Sequence, residues 1–265
     1  MKTLLAMVVF VAAVGTTKQV LAQSPIDVVI AVAKAGYQIY SSYADNDLTL
    51  EEARNHILSE IDFSRDAVLD HIDNLAAVGP RTCARTAIGD FGDLDVYGDF
   101  AVLIAGEIYE CVALTHYTAA AVQDQRIADE LGVVLHLLAP IALLANEQTG
   151  LSTDYVVDEV LAGEATLYDA LTPHCRRWTV REPGSRLHEN FARCVAYNGD
   201  SATSVGIGTA PPLAPLIRRA LRNTSAAIRS QLQETTRQDA EAARIPWSPR
   251  IGEAASKSRM VLSSP

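Results

Sequence analysis

Acidic side chains occur in two clusters whose spacing could serve chemistry. The first cluster is a row of aspartates spaced four, four and three residues apart: Asp62, Asp66, Asp70 and Asp73. This spacing places them on one face of a helix, where two carboxylates could act as the acid and the base of a hydrolase. A solvated charged face is the simpler interpretation, with Arg65 and His71 near enough to reduce the repulsion.

The second cluster begins in the loop sequence Gly89-Asp90-Phe91-Gly92-Asp93 and continues just after it. Four of its carboxylates lie within ten residues: Asp90, Asp93, Asp95 and Asp99. Hard oxygen ligands at this density are able to hold Ca²⁺. The spacing does not match an EF-hand, and aspartates at turns and helix starts also serve as caps. We therefore expect no cofactor, with Ca²⁺ at these four aspartates as the alternative.

Motifs of known catalytic chemistry are missing from the sequence. It contains no GxSxG, SxxK or HExxH pattern. Glu107, Glu110 and His116 share one predicted helix, but the Glu-x-x-His spacing that a di-iron bundle needs is absent. His136 is a lone histidine in an apolar run, where a hydrogen-bonded core histidine is usual and a pH sensor is the alternative. These patterns favour a non-enzymatic protein over a hydrolase.

The cysteines indicate disulfides. There are four of them: Cys83, Cys111, Cys175 and Cys194. An even number without a CxxC pair favours two disulfides over a zinc or redox site. Three pairings are open. We favour Cys83–Cys111 with Cys175–Cys194, because each bridge then connects one half of the chain separately.

The N-terminus follows the three-part pattern of a secretory signal. Lys2 precedes an uncharged apolar stretch from Leu4 to Gly15, and Val20-Leu21-Ala22 places a small residue where signal peptidase cuts. This pattern predicts a signal peptide over 1–22 and a secreted, extracellular protein. Lysine is scarce beside arginine, and alanine and valine are abundant, which indicates a GC-rich bacterial genome.

Charge is divided unevenly along the chain. Residues 1–173 hold 8 basic and 25 acidic residues, whereas residues 174–265 hold 14 basic and 7 acidic ones. The simpler interpretation is that the basic part neutralises the acidic part. The alternative is a patch at Arg218, Arg219 and Arg222 for an anionic glycan or phospholipid. Aromatic residues for stacking bases are scarce there, so we expect no nucleic-acid partner.

The elements that position these residues are predicted to be mostly helical. A first helix is expected over 26–43. A capping box at Thr49 and Glu52 opens a second helix, whose apolar stripe continues to Leu75 and which Gly79-Pro80 should end. Further helices are predicted over 95–124, 125–145, 153–161 and 164–171. The helix over 125–145 is apolar all round, which places it at the centre of a bundle.

The pattern changes after Pro173. Trp178-Thr179-Val180 is β-prone and Asn198-Gly199 is a hairpin signal, so we expect an irregular or β-hairpin insertion over 174–212. A C-terminal helix over 215–243 and a flexible tail over 246–265 complete the chain. The predicted fold is therefore all-α: a single domain over 23–245, built as a multi-helix bundle around the central apolar helix.

These features favour an exported, non-enzymatic helical bundle that binds another molecule or surface. The partner is expected to be a protein, a glycan or a membrane surface. No motif identifies a family. In architecture alone, an exported bundle with a very apolar central helix resembles the helical domains of bacterial pore-forming toxins, so a membrane-active protein is one alternative. A secreted hydrolase that uses the clustered carboxylates is the other.

Overall fold

A computed structural model describes residues 25–181 and 188–228. The signal peptide predicted over 1–22 and the tail predicted over 246–265 lie outside the described residues.

The described chain is an all-α bundle with one small antiparallel sheet, as the sequence predicts. Its α-helices are α1 (Pro25–Ala44), α2 (Leu50–Phe63), α3 (Arg65–Asp73), α4 (Val78–Gly92), α5 (Ala101–Ala121), α6 (Gln125–Thr149), α7 (Asp154–Leu171) and α8 (Ala214–Ala220). Two short 3₁₀ turns, Leu94–Val96 and Gly98–Phe100, connect α4 to α5. The strands β1 (His174–Arg181), β2 (His188–Val195) and β3 (Ser201–Ile207) lie between α7 and α8 in the order β1-β2-β3.

Helix α6 occupies the centre of the bundle and packs against α1, α5 and α7. The Asp124 carboxylate accepts the Arg126 N–H at 2.8 Å and so caps the start of the helix. Gly150 ends it with a left-handed backbone (φ 73°). Leu137 and Leu138 are 2% and 0% exposed, which confirms that this segment forms the core.

Among the helices of the described ranges, α6 is the one that is long and apolar enough to cross a membrane. In this structure 89% of its most apolar stretch is buried inside the protein. Because a helix at the centre of a bundle must be apolar on every side, the core accounts for this composition.

The second predicted helix is divided in two. The capping box at Thr49 and Glu52 opens α2 as predicted, but Ser64 leaves helical geometry (φ −108°, ψ 15°) between α2 and α3. Gly79-Pro80 does not end a helix, because both residues lie in the first turn of α4. A proline is tolerated in a first turn, where its missing N–H has no helical partner.

Other boundaries also differ from prediction. The helix expected over 95–124 is α5, which spans 101–121, and residues 89–92 of the expected loop belong to α4. The helices expected over 153–161 and 164–171 are one helix, α7, which continues through Gly163. The helix expected over 215–243 is interrupted: α8 ends at Ala220, turns follow over 221–225, and residues 226–228 are helical again. In these turns the buried Thr224 hydroxyl donates to the Leu221 carbonyl at 2.8 Å, which gives the backbone a partner other than the helix ladder. Residues 229–243 lie outside the described ranges.

Both disulfides that we favoured are present. Cys83–Cys111 joins α4 to α5, and Cys175–Cys194 joins β1 to β2 at directly paired positions. They close sequence separations of 28 and 19 residues. Each stabilises the fold by about 3 kcal/mol through its effect on the unfolded chain.

Candidate binding surface on the β-sheet

One face of the three-stranded sheet is partly covered by α8, and the other face is exposed. Ala192, Cys194 and Ala202 point inward and belong to a core cluster with Leu216 and Ala220 of α8. Alternate side chains point to the other side, which we call the outer face. It carries the following residues: His174, Arg176, Trp178, Val180, Glu189, Phe191, Arg193, Val195, Ser201, Thr203, Val205 and Ile207.

The outer face carries an aromatic pair at its centre. Trp178 and Phe191 are directly opposite one another on β1 and β2, and their rings stack with centroids 5.4 Å apart at an interplanar angle of 6°. Trp178 is 42% exposed, and Val205 and Ile207 beyond it are 51% and 69% exposed. Aromatic and aliphatic side chains thus form a solvent-facing surface on this side of the sheet.

Two arginines lie beside the aromatic pair. Arg176 and Arg193 are cross-strand partners, and both are exposed. Like charges directly opposite one another on a sheet repel. Neither guanidinium forms an ion pair with any residue that the structure describes. The one hydrogen bond that Arg193 makes there is to the Ser201 hydroxyl at 3.4 Å.

A groove of about 580 Å³ runs beside these residues. It is lined by His174, Arg176, Arg177, Trp178, Arg193 and Val195. The carboxylate on the outer face, Glu189, lies at the far end of the sheet, opposite Val180 and Ile207. The groove therefore combines positive charge with aromatic surface, and no strand carboxylate lines it.

Three C-terminal arginines, Arg218, Arg219 and Arg222, form no ion pair with the bundle residues that the structure describes. Arg218, Arg219 and Arg222 are exposed, and the five ion pairs among the described residues all lie within residues 54–164. Helix α8 packs Leu216 and Ala220 against the sheet, so these arginines face solvent.

The predicted row of four aspartates is interrupted. The break at Ser64 places Asp62 on α2 and the other three aspartates on α3. Asp73 binds the Arg85 guanidinium with both carboxylate oxygens at 2.8 Å. The four carboxylates therefore do not share one helix face.

Asp70 contributes to a cleft of about 720 Å³ between α3, α6 and the turn after β2. It is lined by Ile26, Asp70, His71, Asn74, Arg126, Glu130, Tyr197 and Asn198. Burial lowers the pKa of His71, although its hydrogen bond to the Glu130 carbonyl opposes the shift. Asp70 is exposed and Glu130 pairs with Arg126 at 3.1 Å. Asp70 therefore lacks the desolvated environment typical of a catalytic acid, and the charge of Glu130 is balanced by Arg126.

Two of the four aspartates proposed for Ca²⁺, Asp90 and Asp95, have other partners. Asp90 accepts the Tyr97 hydroxyl at 2.9 Å. Asp95 binds the Arg54 guanidinium and the Gln148 amide. Over residues 25–181 and 188–228, no three histidine, cysteine or acidic side chains converge as a ligand set. The structure therefore does not bring the predicted ligands together.

Buried polar contacts lie within the bundle. His136 is a hydrogen-bonded core histidine, as its apolar surroundings predicted, whereas its partners and the contact between His116 and Glu159 were not predicted. His116 Nδ1 is 2.5 Å from the Glu159 carboxylate. His136, 1% exposed, lies 3.2 Å from the Tyr37 hydroxyl and 3.9 Å from Glu164. Burial, and then the Glu164 charge, raise the pKa of Tyr37. These contacts link α1, α5, α6 and α7, and the sequence signal for them was limited to single polar residues on apolar faces.

Comparison with protein-family models, curated proteins and solved structures brings no match to this chain.

Proposed function

We propose that this protein is an exported, non-enzymatic binding protein whose sheet binds an anionic ligand at its outer face. The observation that carries the proposal is the cross-strand pair Arg176–Arg193 beside the stacked pair Trp178–Phe191. The two arginines repel one another and have no carboxylate partner among the described residues. A bound anion relieves that repulsion.

The chemistry of these side chains suits carboxylate, sulfate or phosphate groups. A guanidinium binds such groups through two parallel hydrogen bonds. The neighbouring rings add apolar contact area, and tryptophan and arginine are the residues that most often dominate binding energy at interfaces.

The surface is also held in place before a ligand arrives. Cys175–Cys194 occupies the paired position next to Arg176–Arg193 and links the two strands covalently. A rigid surface loses less conformational entropy on binding. The two disulfides are consistent with an oxidising, extracellular compartment, which supports export under the signal peptide predicted over 1–22.

Binding is preferred to the two alternatives for separate reasons. A hydrolase needs converging acids, but the aspartates predicted for that role are spread over several sites, and Asp73, Asp90 and Asp95 have other partners. A membrane-active bundle needs an apolar helix to leave the core, and α6 is packed on all sides by α1, α5 and α7.

The test is a titration with sulfated dextran, followed through tryptophan fluorescence. The chain has two tryptophans, so Trp247→Phe makes Trp178 the single reporter. We expect saturable binding that weakens with added NaCl, because salt screens exposed charges. Arg176→Gln/Arg193→Gln should weaken binding at least about tenfold, since two charge-assisted contacts are lost.

A matched variant removes the same charge elsewhere. Arg218→Gln/Arg219→Gln on α8 should leave the affinity within about twofold of the native value, because exposed charges away from the contact are largely screened. Neutral dextran should not bind. An equal loss in both double variants would place the site outside the sheet, and no binding of sulfated dextran by the native protein would refute the proposal.

A further inference from the structure

Strand β1 is an open edge of the sheet. The strand order β1-β2-β3 pairs β1 with β2 alone. In an antiparallel pair every second residue directs its N–H and C=O away from the partner strand. Within the described part of the chain, no backbone hydrogen bond reaches β1 from another element. Seven of its eight residues are exposed. A long exposed edge of this kind is a template for another strand.

Arginines flank this edge on both faces of the sheet. Arg176 lies on the outer face with Trp178, whereas Arg177 and Arg181 alternate to the opposite face, where Arg177 donates to the Pro211 carbonyl at 3.4 Å. No acidic residue occurs between His174 and Arg181. A strand added along β1 alternates its own side chains between the same two faces. An acidic residue of the added strand therefore lies near an arginine whichever face it points to.

We infer that β1 binds an extended acidic peptide segment of a protein partner by strand addition. This inference rests on the proposed function and names the partner of the same surface. Backbone hydrogen bonds along the edge supply affinity, and side-chain contacts at alternate positions supply specificity. The groove beside Arg176, Arg177 and Trp178 receives an acidic side chain of the added strand.

Charge argues against a second copy of this chain as the occupant. Two β1 strands paired with one another would bring the arginines of both chains together along the edge. Directly opposed like charges destabilise a strand pair, and charged edge strands are a device that natural proteins use against self-association. An acidic strand meets the opposite electrostatic condition.

The test uses an eight-residue peptide of alternating glutamate and threonine. Its control is the same peptide N-methylated at its four central residues, which removes donors from both edges and keeps the charge. We expect the methylated peptide to bind at least about tenfold more weakly, because several backbone hydrogen bonds of modest individual strength are lost together. The double variant Arg176→Gln/Arg177→Gln should also bind the unmodified peptide more weakly than the native protein does. Residue-resolved hydrogen exchange should show new protection at alternate amides of 174–181.

The outcomes separate this inference from the proposed function. If sulfated dextran binds through Arg176 and Arg193 but both peptides bind equally well or not at all, strand addition is wrong and the anion-binding function stands. If neither class of probe binds, the proposed function fails. If the outward amides of β1 are already protected in the free protein, the edge is covered by a second copy or by another part of the chain. That result also overturns the inference.

Discussion

Asp129 is expected to stabilise the packing of the sheet and of the C-terminal segment against the central helix. It is 1% exposed on α6. Its carboxylate accepts the Tyr197 hydroxyl at 2.5 Å and the Ser225 backbone N–H at 2.6 Å. We predict that Asp129→Ala lowers the free energy of unfolding by about 2–4 kcal/mol.

The magnitude follows from what each donor does after the change. Ser225 is fully buried, so its N–H loses its partner without access to water, at a cost of about 1–3 kcal/mol. Tyr197 is half-buried, so its hydroxyl can turn to water and the loss there is about 1 kcal/mol. Removing a desolvated carboxylate offsets part of this sum of about 2–4 kcal/mol, so we expect a loss in the lower part of that range.

The same residue should contribute a pH dependence. Burial raises the pKa of Asp129 above its ordinary value of 3.8, and the hydrogen bonds from Ser225 and Tyr197 oppose the shift only in part. A raised pKa means that the folded state binds the proton more tightly than the unfolded state. The contribution is therefore fully present below pH 3.8 and is lost as the pH rises through the folded-state pKa.

Urea unfolding followed by circular dichroism between pH 3 and pH 8 measures both effects. Asp129→Asn keeps the shape and should remove this part of the pH dependence, while Tyr197→Phe should cost only about 1 kcal/mol. A loss below about 1 kcal/mol in Asp129→Ala would contradict the anchoring role. An Asp129→Asn variant that follows the native pH curve would contradict the electrostatic argument.

Two further predictions concern packing. Leu138→Ala should lower the free energy of unfolding by about 2–5 kcal/mol, because the side chain is fully buried in α6; Leu103→Ala, at a position 62% exposed, should change it by less than about 0.5 kcal/mol. Gly163→Ala should destabilise by about 1–3 kcal/mol, because its Cβ would lie 2.6 Å from Leu135 Cδ2. Gly106→Ala, at a helical position with nothing within 4 Å, should stabilise by about 0.4–1 kcal/mol. Thermal and urea unfolding check all four variants, and equal effects within either pair would contradict the packing argument.

Local patterns predicted much of the fold. The capping box at Thr49 and Glu52 opens α2 as expected, and the run of apolar residues after Gln125 forms the buried central helix. The hairpin signal Asn198-Gly199 lies in the turn between β2 and β3. These features could be predicted because caps, apolar periodicity and turn residues act over a few neighbouring positions.

Long-range contacts decided the rest of the fold and the candidate surface. Gly163 does not break α7, because the absence of a Cβ lets the helix approach Leu135 closely. The β-prone residue Trp178 was visible in the sequence. Its stacking on Phe191 and the pairing of Arg176 with Arg193 depend on strand register, which becomes known only when the strands are paired.

The sequence by itself determined the helical class, the central helix and the uneven charge, because composition and short-range periodicity carry that information. Only the tertiary structure decided which charges neutralise one another. Arg54 pairs with Asp95 across 41 residues of chain, and Asp129 reaches Ser225 across 96. Arg176 and Arg193 remain exposed on the sheet without an ion-pair partner among the described residues. The strength of an electrostatic interaction depends on the distance between the two charges in space. Separation along the chain does not determine that distance.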